Sequence, residues 1–241
     1  WKKAKQMYDW SKELKFPLMA GSSVPVTFRR PAYDVPLGAE LESALSVGGG
    51  WVGDGGLFHV LETLQGFVER RKGGEVGVRA VQTLKNDEVW KAAQQGVWDR
   101  SLLDAALNAS QRRTSKQRPE EMKSVLGLIE YRDGFKGAII ALSGGSDYLA
   151  AVKPKGQPAQ GVCCYIPIEN SNNFSMLVHG ITQMIATGKP AITVERTLLV
   201  SGALQGLMES GYQKGKRIET PELKVAYKAP AKGWWAPGLG S

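Results

Sequence analysis

Between Met122 and Ile166 the chain carries four short apolar runs cut by turn signals, and this stretch limits the possible folds more than any other. Met122 to Tyr131 and Phe135 to Leu142 are separated by Arg132-Asp133-Gly134. Asp-Gly between apolar runs favours a hairpin turn, whose central residues need positive φ. Tyr148 to Val152 and Gly161 to Ile166 follow with strand composition. Upstream, Glu75 to Leu84 alternates strictly, with Val76, Val78, Ala80 and Gln82 on one side and Gly77, Arg79, Val81 and Thr83 on the other. That period of two belongs to a half-buried strand. Strands joined by tight turns run antiparallel.

Helical periods surround this sheet. Phe58, Leu61, Leu64 and Val68 make one stripe and predict a helix over about 56–71, closed by Gly73-Gly74. Shorter helices are predicted near 86–95, capped by Asn86 or Asp87, and near 99–109, capped by Asp99. Longer ones are predicted over 174–187 and 194–212, and residues 1–15 fit an amphipathic helix. Pro17-Leu18-Met19-Ala20-Gly21 reads as a short buried strand, Val24 to Phe28 as extended, Leu41 to Val47 as a strand and 222–227 as the last strand. Residues 110–121 are a polar surface loop. This order predicts an α+β fold, a mostly antiparallel open sheet with helices packed on one face.

Composition removes some functions. The net charge of +8 is spread along the chain instead of clustering with aromatics, which argues against a nucleic-acid binder. No apolar run approaches the roughly 18 residues of a membrane span. The only cysteines, Cys163 and Cys164, are adjacent in a predicted strand and point to opposite faces, so neither a disulfide framework nor a metal site is expected.

Several motifs could carry chemistry. Gly137 to Asp147, ending Ser143-Gly144-Gly145-Ser146-Asp147, resembles the strand and phosphate loop of N-type ATP pyrophosphatases, in which backbone N–H groups at a helix start hold pyrophosphate. Tyr148 replaces the motif's last serine, and the segment that follows reaches Lys153-Pro154 too soon for a helix, so a hairpin turn is the simpler reading. His59 and Glu62, three apart on the 56–71 helix, project to one side next to a glycine-rich stretch. His59 could act as acid or base with Glu62 or Asp54 orienting it, or be a surface or capping histidine. Arg29 and Arg30 close a strand ahead of Pro31 and could bind a carboxylate or phosphate, or be a solvated strand end. His179, amid Met176, Val178, Ile181 and Ile185, reads as structural, and the Asn108 and Asn173 glycosylation patterns are of a kind common by chance.

Taken in order, these pieces resemble the C-terminal part of the glucose–fructose oxidoreductase / inositol dehydrogenase (Gfo/Idh/MocA) family. The carriers are the helix 1–15, the run Leu18-Met19-Ala20-Gly21, and Arg29-Arg30-Pro31. Further along come Gly55-Gly56-Leu57-Phe58-His59-Val60-Leu61-Glu62, the strand Val76 to Leu84, Met184 to Pro190, and Gly215 to Pro221. The resemblance implies a sheet-rich domain that closes over a nicotinamide and a sugar-like or polyol substrate, with His59 in the acid/base position. It implies that residues 1–15 lead from an N-terminal Rossmann domain outside this chain, with 16–241 as the substrate and oligomerisation domain. NAD or NADP would be held by that Rossmann domain, and none by this chain alone. The family's aspartate four residues before its histidine falls on Gly55, with Asp54 adjacent, and its later aspartate is Glu62. Two readings follow. One is the C-terminal domain of an NAD(P)-dependent oxidoreductase. The other is a non-catalytic assembly subunit that forms a homo-oligomer through its sheet face.

Overall fold

The computed structural model describes residues 1–49, 53–112, 117–167 and 172–236. Among them the alternating runs build one eight-stranded sheet, in spatial order β1-β7-β6-β2-β5-β4-β3-β8. The strands are β1 (Phe28–Arg30), β2 (Leu41–Gly49), β3 (Val78–Lys85), β4 (Ser124–Tyr131), β5 (Lys136–Leu142), β6 (Tyr148–Pro154), β7 (Gln160–Tyr165) and β8 (Ile218–Glu219). Only the β2–β5 pair is parallel. The helices are α1 (Lys2–Glu13), α2 (Asp54–Val68), α3 (Asp87–Gln94), α4 (Arg100–Asn108), α5 (Ser175–Thr187) and α6 (Val194–Tyr212). The class is α+β with a mostly antiparallel open sheet.

The helices cover both faces of that sheet, which corrects the one-face expectation. On the first face, Leu57, Val60, Leu61, Leu64 and Phe67 of α2 and Leu199, Ala203 and Leu207 of α6 pack with Ala44, Val81, Ile129, Ile139, Ala150 and Cys164. On the second, Val89 of α3, Trp98, and Leu102, Leu103 and Ala106 of α4 pack with Leu45, Val47, Ile140, Leu149 and Cys163. The central strands are buried on both sides, so neighbouring residues such as Ile139 and Ile140 are both sealed. Each fully buried aliphatic chain of this size contributes roughly 1.5–3 kcal/mol. Local chemistry places the second-face pair: Asp99 caps α4 by accepting the Ser101 N–H at 2.9 Å.

A buried polar seam locks α2 to α6 and to the tail. Arg196 Nε donates to Glu69 Oε2 at 2.8 Å, and Tyr227 Oη donates to the same oxygen at 2.8 Å. Gln65 donates to Tyr227 Oη at 2.9 Å and accepts from Tyr131 Oη at 2.9 Å. Arg29, Arg70, Arg71 and Arg196 are all buried, so part of the positive charge is neutralised inside the molecule rather than offered to a partner.

Three strand expectations change. Pro17 to Gly21 pairs with no described strand, and Val24–Val26 is a 3-10 turn. The chain end supplies β8 at Ile218–Glu219 and, in place of a 222–227 strand, a single bridge from Tyr227 to Glu75. The segment 143–147 is not a hairpin turn, because β2 lies between β5 and β6. It passes over the end of β2 so closely that a Cβ on Gly49 would sit 2.0 Å from the Gly145 carbonyl carbon. Two glycines without side chains make that crossing possible.

Candidate active site

His59 lies near the start of α2, where the helix meets the first residues of β6 and the segment after Gly21. The helix begins at Asp54, with Gly53 as its N-cap. Its apolar stripe faces the core and leaves Phe58 and His59 half-buried at the edge. The imidazole meets Tyr148 edge-on at 5.8 Å between ring centres and Phe58 at 5.7 Å. Its Nδ1 lies 2.7 Å from Ser22 Oγ, and that oxygen also accepts the Val24 N–H at 3.0 Å. Burial lowers the His59 pKa, which favours the neutral ring.

Glu62 is close to His59 along the helix but turns inward, to 1% exposure. It does not orient His59 directly. Its Oε2 receives the Ser22 backbone N–H at 3.5 Å, and its Oε1 has no hydrogen-bond partner. Desolvation pushes its pKa up to about 7, against the pull of Arg196 and the Thr197 hydroxyl. Gly21 lets the chain pass over this carboxyl: its φ is +137°, and a Cβ there would stand 2.9 Å from Glu62 Oε2. Ser22 thus joins the two groups, its backbone to Glu62 and its hydroxyl to His59.

The other candidates lie apart from this cluster. Asp54 is exposed, and its carboxylate takes the N–H of Gly55 at 2.8 Å, a local turn contact. Arg29 and Arg30 point to opposite faces, opposite Cys164 and Cys163 in the β1–β7 ladder. Arg29 is buried over the Phe67 ring, and its two terminal nitrogens donate to Asp34 at 2.8 Å and to the carbonyls of Tyr33 and Pro25, so they serve the fold. Arg30 lies 3.8 Å over the Tyr165 ring, on the α3–α4 side. His179 stacks on Trp234 at 5.5 Å. Ser22 and Tyr148 complete the surroundings of His59. Nothing in their local sequence marks them, since one precedes a 3-10 turn and the other opens a strand.

Two glycine-rich stretches bear on nucleotide binding. After Ser143-Gly144-Gly145-Ser146-Asp147 comes strand β6, so no helix start stands there to hold pyrophosphate. Asp147 is buried instead, and its Oδ2 accepts from Ser110 Oγ and from the N–H groups of Gln111 and Arg112, each at 2.8 Å. Gly48, Gly50 and Gly53 do stand at Gly-x-Gly-x-x-Gly spacing between β2 and α2, although residues 50–52 lie outside the described part. A dinucleotide fingerprint needs the strand after the helix beside the strand before it. Here β5 and β4 separate β2 from β3. The space a side chain at Gly48 would need is filled by Val60 Cγ2, and that at Gly49 by Gly145. Close packing accounts for Gly48 and Gly49, and the strand order of the described residues does not fit a dinucleotide.

A cleft of about 260 Å³ lies elsewhere, lined by Glu42, Trp98, Asp99, Leu128, Glu130 and Lys136 among others. Two of its rim carboxylates are already paired: Asp99 with Lys153 at 3.1 Å, and Glu130 with Arg217 at 2.6 Å. Among the described residues no group of three His, Cys, Asp or Glu could hold a metal ion, and no helix is long and apolar enough to cross a membrane.

No protein-family model matches the chain, and no curated protein matches it. Among solved structures it is similar to GenD2 from gentamicin A biosynthesis in complex with NAD, with 12% identity, a TM-score of 0.48, and coverage of 76% of this chain and 56% of that one. It is similar to myo-inositol 2-dehydrogenase from Lactobacillus plantarum, with 11% identity, a TM-score of 0.47, and coverage of 75% and 57%. It is also similar to levoglucosan dehydrogenase in complex with NADH and L-sorbose, with 11% identity, a TM-score of 0.44, and coverage of 76% and 59%. The chain therefore spans less than two thirds of the length of each. Two of the three are named as dehydrogenases, of levoglucosan and of myo-inositol.

Proposed function

We propose that this chain is the substrate-side, C-terminal domain of an NAD(P)-dependent oxidoreductase acting on a sugar-like or polyol hydroxyl. The observation that carries the reading is His59: half-buried at the start of α2, held by Ser22, walled by Tyr148, with its pKa lowered by burial. A neutral imidazole in that setting can exchange a hydrogen with an oxygen of a bound ligand. The strand order of the described residues does not fit a dinucleotide, so NAD or NADP would be held by a Rossmann domain preceding residue 1, with residues 1–15 as the connecting helix. Arg29 and Asp54 serve local structure, and Arg30 lies on the opposite face of the sheet from His59, so no substrate contact is assigned to any of the three.

The other reading, a non-catalytic subunit that forms a homo-oligomer through its sheet face, loses much of its surface. Helix α4 occupies the second face over β2, β6 and β7, and α3 lies over β3 and β4.

The test uses the protein as encoded in full. NADH and NADPH fluorescence is titrated, and oxidation is followed with a panel of polyols and sugars. Binding of one dinucleotide and turnover of one polyol is expected, with His59→Asn lowering kcat by roughly 10²–10⁴. A full-length protein that binds neither dinucleotide, or whose turnover survives His59→Asn, would overturn the reading.

A further inference from the structure

A count of hydrogens around Ser22 fixes more than its contact distance. Its Oγ has one hydrogen to give and two lone pairs to receive. One lone pair is taken by the Val24 N–H at 3.0 Å. The other neighbour is His59 Nδ1 at 2.7 Å, and two arrangements are open there. If the imidazole carried its hydrogen on Nδ1, Ser22 Oγ would receive both N–H groups and its own O–H would need another acceptor. None is in place: among the described residues Ser22 Oγ meets only Val24 and His59. Glu62 reaches the Ser22 backbone N–H and not the hydroxyl, and Asn173 Nδ2 donates to Ser23 Oγ. Ser22 is buried at 3% exposure, so solvent offers no ready substitute. If instead Ser22 donates to Nδ1, the buried hydrogens of the Ser22 hydroxyl and the Val24 N–H each have an acceptor, and the ring hydrogen on Nε2 is left for a ligand. A stranded buried donor typically disfavours a state by a tenfold to hundredfold factor, on the order of one to two decades of population.

We infer that Ser22 is a positioning residue for His59, holding the neutral imidazole with its hydrogen on Nε2, so that the site offers a hydrogen-bond donor to an oxygen of its ligand. The ligand group that suits such a donor best is a carbonyl oxygen. In the resting protein His59 is therefore set to polarise a ketone or aldehyde carbon, the oxidised partner of a polyol hydroxyl. Use of Nε2 as a base would first require the Ser22 hydroxyl to turn away from Nδ1. This assignment rests on the oxidoreductase reading for its consequence but not for its geometry.

A long-range proton–nitrogen correlation spectrum of the uniformly ¹⁵N-labelled full-length protein shows its imidazoles, among them the two histidines of this chain, His59 and His179. The signals lost in His59→Asn and in His179→Gln assign them. At a pH where the ring is neutral, His59 should show a bare, deshielded Nδ1 and a hydrogen-bearing Nε2. Ser22→Ala should raise the Nδ1–H population several-fold, and Ser22→Thr, which keeps the hydroxyl, should restore the original pattern. The His179 signal, set by its stacking on Trp234, reports that each variant is folded. A wild-type ring with its hydrogen on Nδ1 would overturn the assignment even if no variant folds. A folded Ser22→Ala protein with unchanged tautomer populations would overturn the role of Ser22. No cofactor or substrate is added, so a protein without dehydrogenase activity would sink the functional reading and leave this measurement intact.

Discussion

Glu62→Gln should make the protein more stable at pH 8 than the parent chain, and the gain should disappear at pH 5. The carboxyl is 1% exposed, with one oxygen unpartnered and the other at 3.5 Å from its donor. Burial raises its pKa from 4.5 to about 7. The folded protein therefore keeps a proton that the unfolded chain releases. The stability this contributes is fully present below about pH 4.5 and is lost as pH rises through about 7. The slope is at most ~1.4 kcal/mol per pH unit, and the whole loss is about 3 kcal/mol. Glutamine keeps the shape and cannot ionise, but its amide brings two hydrogens to a pocket that favours acceptors, at a cost of about 1 kcal/mol. The variant should thus be about equal to the parent at pH 5 and roughly 2 kcal/mol more stable at pH 8. Urea unfolding followed by tryptophan fluorescence at several values between pH 5 and 8.5 measures this. His59 titrates with the opposite sense: its lowered pKa contributes stability above about pH 6.5 that is lost on acidification. The quantity to read is therefore the difference between variant and parent, repeated in a His59→Asn background. A difference that stays flat from pH 5 to 8 would mean the carboxyl titrates normally, and the argument for a sealed Glu62 would fail.

Other expectations follow from single contacts. Arg196→Met leaves Glu69 charged and buried with only Tyr227 to serve it, and should cost about 3–5 kcal/mol in urea unfolding. Adding Glu69→Leu should recover much of that loss, and a double variant as weak as the single one would show that the ion pair is not the cause. Gly49→Ala forces a methyl against the Gly145 backbone and should destabilise by roughly 1–3 kcal/mol or more. The same change at Gly53, where nothing lies within 4 Å, should cost under about 1 kcal/mol, and equal losses at both positions would refute the close crossing.

Much of the architecture is legible because its causes are local. The stripe Phe58, Leu61, Leu64, Val68 and the alternation through 75–84 each report a period that a single element imposes on its own residues, so α2 and β3 stand within a few positions of where they were expected. The Asp133-Gly134 turn is likewise local, and β4 and β5 do pair across it. His59 could be singled out because histidine is scarce and sits beside a glycine-rich run. The arginines could not be sorted the same way. Arg29 and Arg30 look alike in sequence, yet ladder alternation buries one over Phe67 and lays the other on Tyr165.

What the amino-acid sequence determined by itself is therefore most of the elements and their class, with His59 as a candidate for proton chemistry. Only the tertiary structure decided which strands are neighbours. Pairing between distant segments depends on which faces bury most together, and no local period encodes that. Hence 143–147 reads as a hairpin turn but crosses over β2, and α3 and α4 cover a face that the element order leaves open. The same holds for the site. Ser22 and His59 lie 37 residues apart, and their hydrogen bond exists only because Gly21 can turn over a carboxyl that α2 points inward. A histidine announces that it can exchange protons, whereas its tautomer is set by the one hydroxyl that the fold brings to its other nitrogen.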